Sequence, residues 1–115
     1  MSRATSDAGA ARRRHHAVVF AALGDETRLS LVTALCNGEP RSIAQLSGGA
    51  RMTRQAITKH LRVLEGVGLV HCVRSGRESR FEFDPAPMNE LKEYLTRVSL
   101  QWDQALARLK AFVES

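Results

Sequence analysis

Apolar and polar positions along the chain change rhythm several times, and each change marks an element. Residues 1–10 hold Ser, Ala, Gly, Thr and Asp with one Arg. Lacking an apolar stripe, they are expected to form a disordered arm, leaving 11–115 as the folded domain. Residues 11–23 open on Arg12, Arg13 and Arg14 and turn apolar at Val18, Val19, Phe20 and Leu23. A helix is expected there, broken by Gly24. Asp25 then caps a second helix, DETRLSLVTALC, with acids in its first turn where the helix dipole favours them. Its buried stripe is expected at Leu29, Val32, Leu35 and Cys36, and NGEP stops it. Ser42 suits the N-cap of a short helix over 43–47, ended by Gly48 and Gly49.

The next stretch, RMTRQAITKHLRVLEGVGLV, reads as a helix capped by Thr53 and closed near Gly66 or Gly68. On a helical wheel Arg54, Gln55, Thr58, Lys59 and Arg62 share one arc of about 140°. Ala56, Ile57, Leu61, Val63, Leu64 and Val67 fill the other side. LVHCVRSGRESRFEF follows with a period of two. Val70 and Cys72 alternate with His71 and Val73, Phe81 and Phe83 alternate with Glu82, and SGRE is the turn of a hairpin. DPAP interrupts the pattern. A long helix over about 88–113 closes the chain, its apolar positions (Leu91, Leu95, Val98, Trp102, Leu106, Leu109, Val113) stepping by three and four. The fold class expected is mainly α with a small β-hairpin: a helix-turn-helix followed by a two-stranded wing. No internal repeat appears.

The chain has 115 residues, which suits one domain with one core. Hydrophobic content of 43% and charged content of 25% fit a globular chain rather than disorder. Lys and Arg number 17 against 12 Asp and Glu, so a polyanionic partner is favoured, nucleic acid ahead of an acidic membrane surface. The longest apolar run, AVVFAAL, is too short to span a membrane. The N-terminus lacks the apolar region of a secretory signal, so a cytoplasmic location is expected. Cys36 and Cys72 are isolated, with no C-x-x-C pair and no disulfide scaffold. No nucleophile–base pair, phosphate loop or acid pair stands out. Neither an enzyme nor a cofactor is expected.

The split face of the 53–67 helix has a physical use. The DNA major groove admits one α-helix. Such a helix needs one side anchored in a core and one side bearing donors. Arg and Lys can donate to guanine, and Gln can pair with adenine. Thr53, Thr58 and Lys59 can equally hold phosphates. A carboxylate on that face would be repelled by the backbone, and none occurs there until Glu65, near the other end. Candidate DNA contacts are therefore Ser42, Thr53, Arg54, Gln55, Thr58, Lys59 and Arg62. Arg74, Arg77 and Arg80 around Gly76 make a cationic wing tip suited to flanking phosphates or the minor groove. His60 falls in the apolar arc and is read as a structural histidine, hydrogen-bonded inside the motif.

The last helix would be about 40 Å long, more than a core of this size can cover. Part of its stripe should meet a second copy, with Trp102 as an anchor. A two-fold dimer would set two recognition helices about 34 Å apart, in successive major grooves of an imperfect palindrome.

FAALGDETRLSLVTAL followed by MTRQAITKHLRVLEGVGLVHCVRSGRESRFEF resembles the ArsR family of bacterial winged-helix repressors, over about residues 16–84. The resemblance implies a homodimer built on the first and last helices, with Val19, Leu95, Val98, Trp102, Leu106 and Leu109 at the interface. It also implies an operator near the protein's own promoter. Many family members sense metals through a Cys-x-Cys in the third helix, but the matching positions here are Ser42 and Ala44, poor soft-metal ligands. Another family site uses Asp and His on the last helix, and residues 88–113 contain no His. The resemblance is therefore to a branch without these ligands, and a repressor that binds no metal is expected. Its inducer is not encoded in any motif.

Competing readings are a metal- or thiol-responsive sensor and a winged-helix protein-interaction module. Cys36 and Cys72 are expected on buried faces, where a lone Cys acts as a small hydrophobe. His15 and His16 are expected at a solvated, basic helix end, the alternative being a metal held across a dimer.

Overall fold

The structure, a computed structural model, describes residues 2–48 and 52–115, with side chains from residue 7 onward. Helix α1 spans Ser2–Leu23, so the backbone is already helical over the segment expected to be an arm. Ala4, Ala8, Ala10 and Ala11 are strong helix formers and no proline precedes Gly24, so local propensity suffices without an apolar stripe. Asp25 caps α2, Glu26–Leu35, by accepting from the Arg28 amide at 3.0 Å. Ser42 and Gln45 form a reciprocal capping box at the start of α3, Ile43–Ser47. The turn expected at Gly49 lies outside the described residues.

Helix α4, Arg54–Gly66, is capped by Thr53, whose hydroxyl accepts from the Ala56 amide. Its end is a Schellman motif. The Leu69 amide reaches the Leu64 carbonyl and the Gly68 amide reaches that of Glu65, both at 3.0 Å. Gly68 supplies the φ of +79° that this reversal needs. Leu64 and Leu69, which the motif brings together, are both fully buried. The chain thus leaves α4 at once for the wing.

The wing is not a simple hairpin. Residues Arg41–Ser42 form β1, Val70–Ser75 β2 and Glu78–Phe83 β3, in the order β1-β3-β2, all antiparallel. A two-residue strand carries no readable period, and β1 gains its definition only from pairing Arg41 with Phe81 and Ser42 with Arg80. The hairpin register pairs Ser75 with Glu78 across Gly76 and Arg77. Gly76 has φ +64° and Arg77 does not, as in a type II′ turn.

The core joins Val19 of α1, Leu31, Val32 and Leu35 of α2, Ile57, Leu61 and Leu64 of α4, Leu69, Val70, Phe81 and Leu91. Helix α2 packs against α1, α4 and β3, so it is buried through Leu31 and Val32 together. Leu29, expected in its stripe, is 51% exposed. Cys36 and Cys72 are also exposed, against expectation. Cys36 lies past the last turn of α2 as its C-cap. Cys72 pairs with buried Phe81 and so shares its face, but of the β2 residues only Val70 is buried. The hairpin has by then run out beyond the helices.

Helix α5 spans Pro85–Glu114. It begins earlier than expected, because DPAP starts the helix instead of interrupting the chain. Asp84 caps it and Pro85 occupies the first turn, where a missing N–H costs nothing. Of its stripe only Leu91 is buried; residues 99–115 are exposed throughout. The result is an elongated molecule of 66 × 38 × 22 Å. Its radius of gyration is 18.9 Å, against about 13 Å for a compact domain of this length. Among the described residues no helix is long and apolar enough to cross a membrane.

Candidate nucleic-acid interface

Helix α4 is anchored by Ile57, Leu61 and Leu64, each at most 1% exposed. That fixes its rotation and turns Arg54, Gln55, Lys59 and Arg62 outward. Arg54, Gln55, Thr58 and Lys59 line one shallow groove with Ile43 of α3, so four of the five arc residues meet where the helix-turn-helix presents its face. Arg62 stands a turn further along, exposed. Thr58 donates to the Arg54 carbonyl at 2.7 Å, which leaves its oxygen only as an acceptor. Thr53 accepts an amide but keeps its hydroxyl proton free.

The first turn of α4 contains Arg54 and no acid. At the positive end of a helix dipole a cation is unfavourable by a few tenths to about 1 kcal/mol. The α2 helix, which has Glu26 there, follows the folding preference. Helix α4 departs from it in the direction that attracts a polyanion.

Ser42 does not belong to this face. It is 3% exposed, with its hydroxyl committed to the Gln45 amide, so its role is to hold α3 in place. Arg74 and Arg77 stand exposed at the hairpin tip. Arg80 sits on the central strand and is paired with Glu78 at 3.1 Å. Such a surface pair is worth about 1 kcal/mol or less, so it tethers Arg80 only weakly.

His60 is half-buried, as its place on the wheel requires, and its partner is Arg28. Arg28 Nη1 donates to His60 Nδ1 at 3.2 Å, while Nε and Nη2 donate to the Ala22 and Ala21 carbonyls at the end of α1. A guanidinium has no acceptor, so Nδ1 offers a lone pair and the neutral ring carries its proton on Nε2. Asp25 Oδ2 lies 3.8 Å from the same nitrogen. The Arg28 amide, with the Arg28 charge adding to it, holds the Asp25 carboxyl below its ordinary value against the opposing effect of burial. One arginine therefore joins α1, α2 and α4. The sequence carried a hint: Gly24 ends α1 and orphans its last carbonyls, and Arg28 lies within reach.

A second unanticipated tie is His71 of β2. Its Nε2 lies 2.8 Å from Asp84 Oδ2, at the cap of α5. Asp84 also accepts the Ala86 amide at 2.9 Å. The Ala86 amide first, then the His71 hydrogen bond, lowers the Asp84 carboxyl below its ordinary value. The wing and the long helix are thus joined at one carboxylate.

On the far side, Leu95, Trp102, Leu106 and Leu109 are 50–63% exposed and Val98 is half-buried. Val19, expected at an interface, is 1% exposed and belongs to the chain's own core. On that side of α1 the long helix covers part of the surface. His16 is likewise 5% exposed and packed against the tilted ring of Tyr94, not solvated. His15 remains exposed, 3.7 Å from Glu90. Among the described residues no three His, Cys, Asp or Glu gather into a group able to hold a metal ion.

This arrangement is shared. A helix-turn-helix domain model matches residues 23–73. An ArsR-like transcriptional regulator from Rhodococcus sp. RHA1 superposes with a TM-score of 0.74 at 40% identity, covering 87% of this chain and 93% of that one. The HTH-type transcriptional regulator Rv2034 of Mycobacterium tuberculosis is 30% identical over 94 residues, 82% of this chain and 84% of that protein. The fold also matches the homodimeric winged helix-turn-helix DNA-binding domain Mb0332 from Mycobacterium bovis. There the TM-score is 0.63 at 23% identity, over 87% of this chain and 89% of that domain. The chain belongs to the ArsR family of winged helix-turn-helix regulators. Its class is DNA-binding transcriptional regulation.

Proposed function

We propose that the protein is a repressor that reads a palindromic operator as a homodimer and needs no metal to do so. The observation that carries the reading is the face of α4. Its exposed side holds Arg54, Gln55, Lys59 and Arg62 without a carboxylate, over an opposite side anchored by the buried Ile57, Leu61 and Leu64. Arg54 and Gln55 would read base edges, with Lys59, Arg62 and Thr53 on phosphates and Arg74, Arg77 and Arg80 on the flanking backbone.

Dimerisation is supported by α5. An apolar groove of about 970 Å³, lined by Phe20, Leu23, Met88, Leu91, Leu95 and Leu100, lies open between the end of α1 and α5. Beyond it the exposed stripe continues through Trp102, Leu106 and Leu109 to Phe112. A patch of this extent suits a partner, and a second copy supplies the same surface. The solved homodimer of Mb0332 favours the same reading by analogy of fold.

The test is fluorescence anisotropy with DNA from upstream of the protein's own gene against scrambled DNA, across a salt series and with and without zinc. The proposal expects a preference of about tenfold or more that survives rising salt and ignores zinc. Equal affinities that collapse together with salt would reduce the activity to phosphate binding.

A further inference from the structure

One cationic cluster lies on α1 and α5, among residues the DNA-binding reading does not use. On α1, Gly9, Arg12, Arg13 and His16 recur at helical spacing; on α5, Tyr94, Arg97, Val98 and Gln101 do the same. The two rows line a groove of about 500 Å³. His16 is 5% exposed, its ring centroid 4.9 Å from that of Tyr94. Neither of its ring nitrogens has a hydrogen-bond partner, and both are closed off from solvent. Buried polar atoms are rarely left this way. Around the same groove, Arg12, Arg13 and Arg97 are exposed, and no carboxylate among the described residues lies within ion-pair distance of them. Like charges gathered on facing helices oppose the packing of those helices.

One addition would answer the cluster of arginines and supply a partner to one of the two ring nitrogens. Guanidinium groups match the oxygens of carboxylates and phosphates in a fork geometry. The Tyr94 hydroxyl and the Gln101 amide offer further donors beside them. An anion between the arginines would remove their mutual repulsion and bring an acceptor to the His16 ring. Both ring nitrogens are closed off, so the anion reaches one only after neighbouring side chains shift. We propose that the α1–α5 groove is a binding site for a small polyvalent oxyanion, an organic phosphate or a dicarboxylate, held by Arg12, Arg13 and Arg97. The site stands apart from the α4 face and does not depend on what that face binds.

The test uses the full chain without DNA, titrated with pyrophosphate or malonate at constant ionic strength, with chloride as the control. Long-range nitrogen–proton spectra report the His16 ring, and His71 serves as the internal reference. The expected result is a saturable change at His16 with at least one of the two oxyanions and none with chloride. Arg97→Gln should weaken it at least tenfold, and Arg54→Gln on the α4 face should leave it unchanged. A response to pyrophosphate alone assigns a phosphate ligand, and a response to malonate alone a carboxylate. The proposal is overturned if neither oxyanion moves the His16 signals or if Arg97→Gln binds as well as wild type. It is also overturned if the ring nitrogens are already hydrogen-bonded in the untreated protein.

Discussion

Replacing Trp102 by alanine tests whether the bare face of α5 is where two copies meet. A buried tryptophan removes up to about 250 Å² from water. Trp102 is 63% exposed in the single chain, so about 160 Å² is left for a partner to cover. At about 25 cal/mol/Å² full coverage is worth about 4 kcal/mol per protomer. Coverage of only half gives about 2 kcal/mol per protomer, and a two-fold dimer contains two copies. With both copies counted, about 4 kcal/mol, the dissociation constant should therefore rise about 700-fold. The fold of each chain should be untouched, because Trp102 is exposed and is not among the residues packed on the core. Sedimentation velocity over a dilution series measures the constant for both proteins, with circular dichroism as the check on folding. Trp102 is the only tryptophan, so the wild type supplies its own probe: its emission should shift to the red as dilution separates the dimer. Equal constants for the two proteins, or an emission maximum that ignores dissociation, would refute the interface drawn here.

Other consequences are as direct. Gln55→Ala should cost about 1–3 kcal/mol on the preferred operator and narrow the gap to mismatched sites, whereas Arg77→Ala should weaken all sequences alike and reduce the salt slope by about one. Both are read by anisotropy. Arg28→Ala leaves the Ala22 carbonyl and His60 Nδ1 without a donor, Ala21 keeping the Gly24 amide, and urea unfolding should show a loss of about 2 kcal/mol. The carboxyl of Asp84 is lowered by the Ala86 amide and His71, so its contribution is complete above the unfolded value of about 4 and disappears as pH falls through the lower folded value. Unfolding of Asp84→Asn should accordingly show a shallower loss of stability on the acid side than wild type; identical acid limbs would contradict the cap.

Much of the candidate interface was legible because its determinants are local. Thr53 as N-cap, the turn at Gly76 and the division of α4 into an anchored and a cationic face all follow from residues within a few positions of one another. The partners in the Arg28–His60 and His71–Asp84 pairs were not legible, since each pair joins different elements, 32 and 13 positions apart in sequence. Ser42 shows the converse error. A hydroxyl at the entrance of a helix-turn-helix suits a phosphate, but its own backbone reaches it first.

The sequence by itself determined the order and type of most elements, because periodicity, capping and glycine conformations act over one or two turns; β1 and the helical start of α1 were not among them. Only the tertiary structure decided which apolar residues are inside. Val19 and Leu31 are buried because three helices and a strand converge on them; Leu29 and Cys72 are exposed because nothing does. It likewise placed His16 beneath α5 and left Trp102 in the open on one continuous helix. Burial depends on what lies opposite a residue in space, and a stripe along one helix does not specify its neighbour.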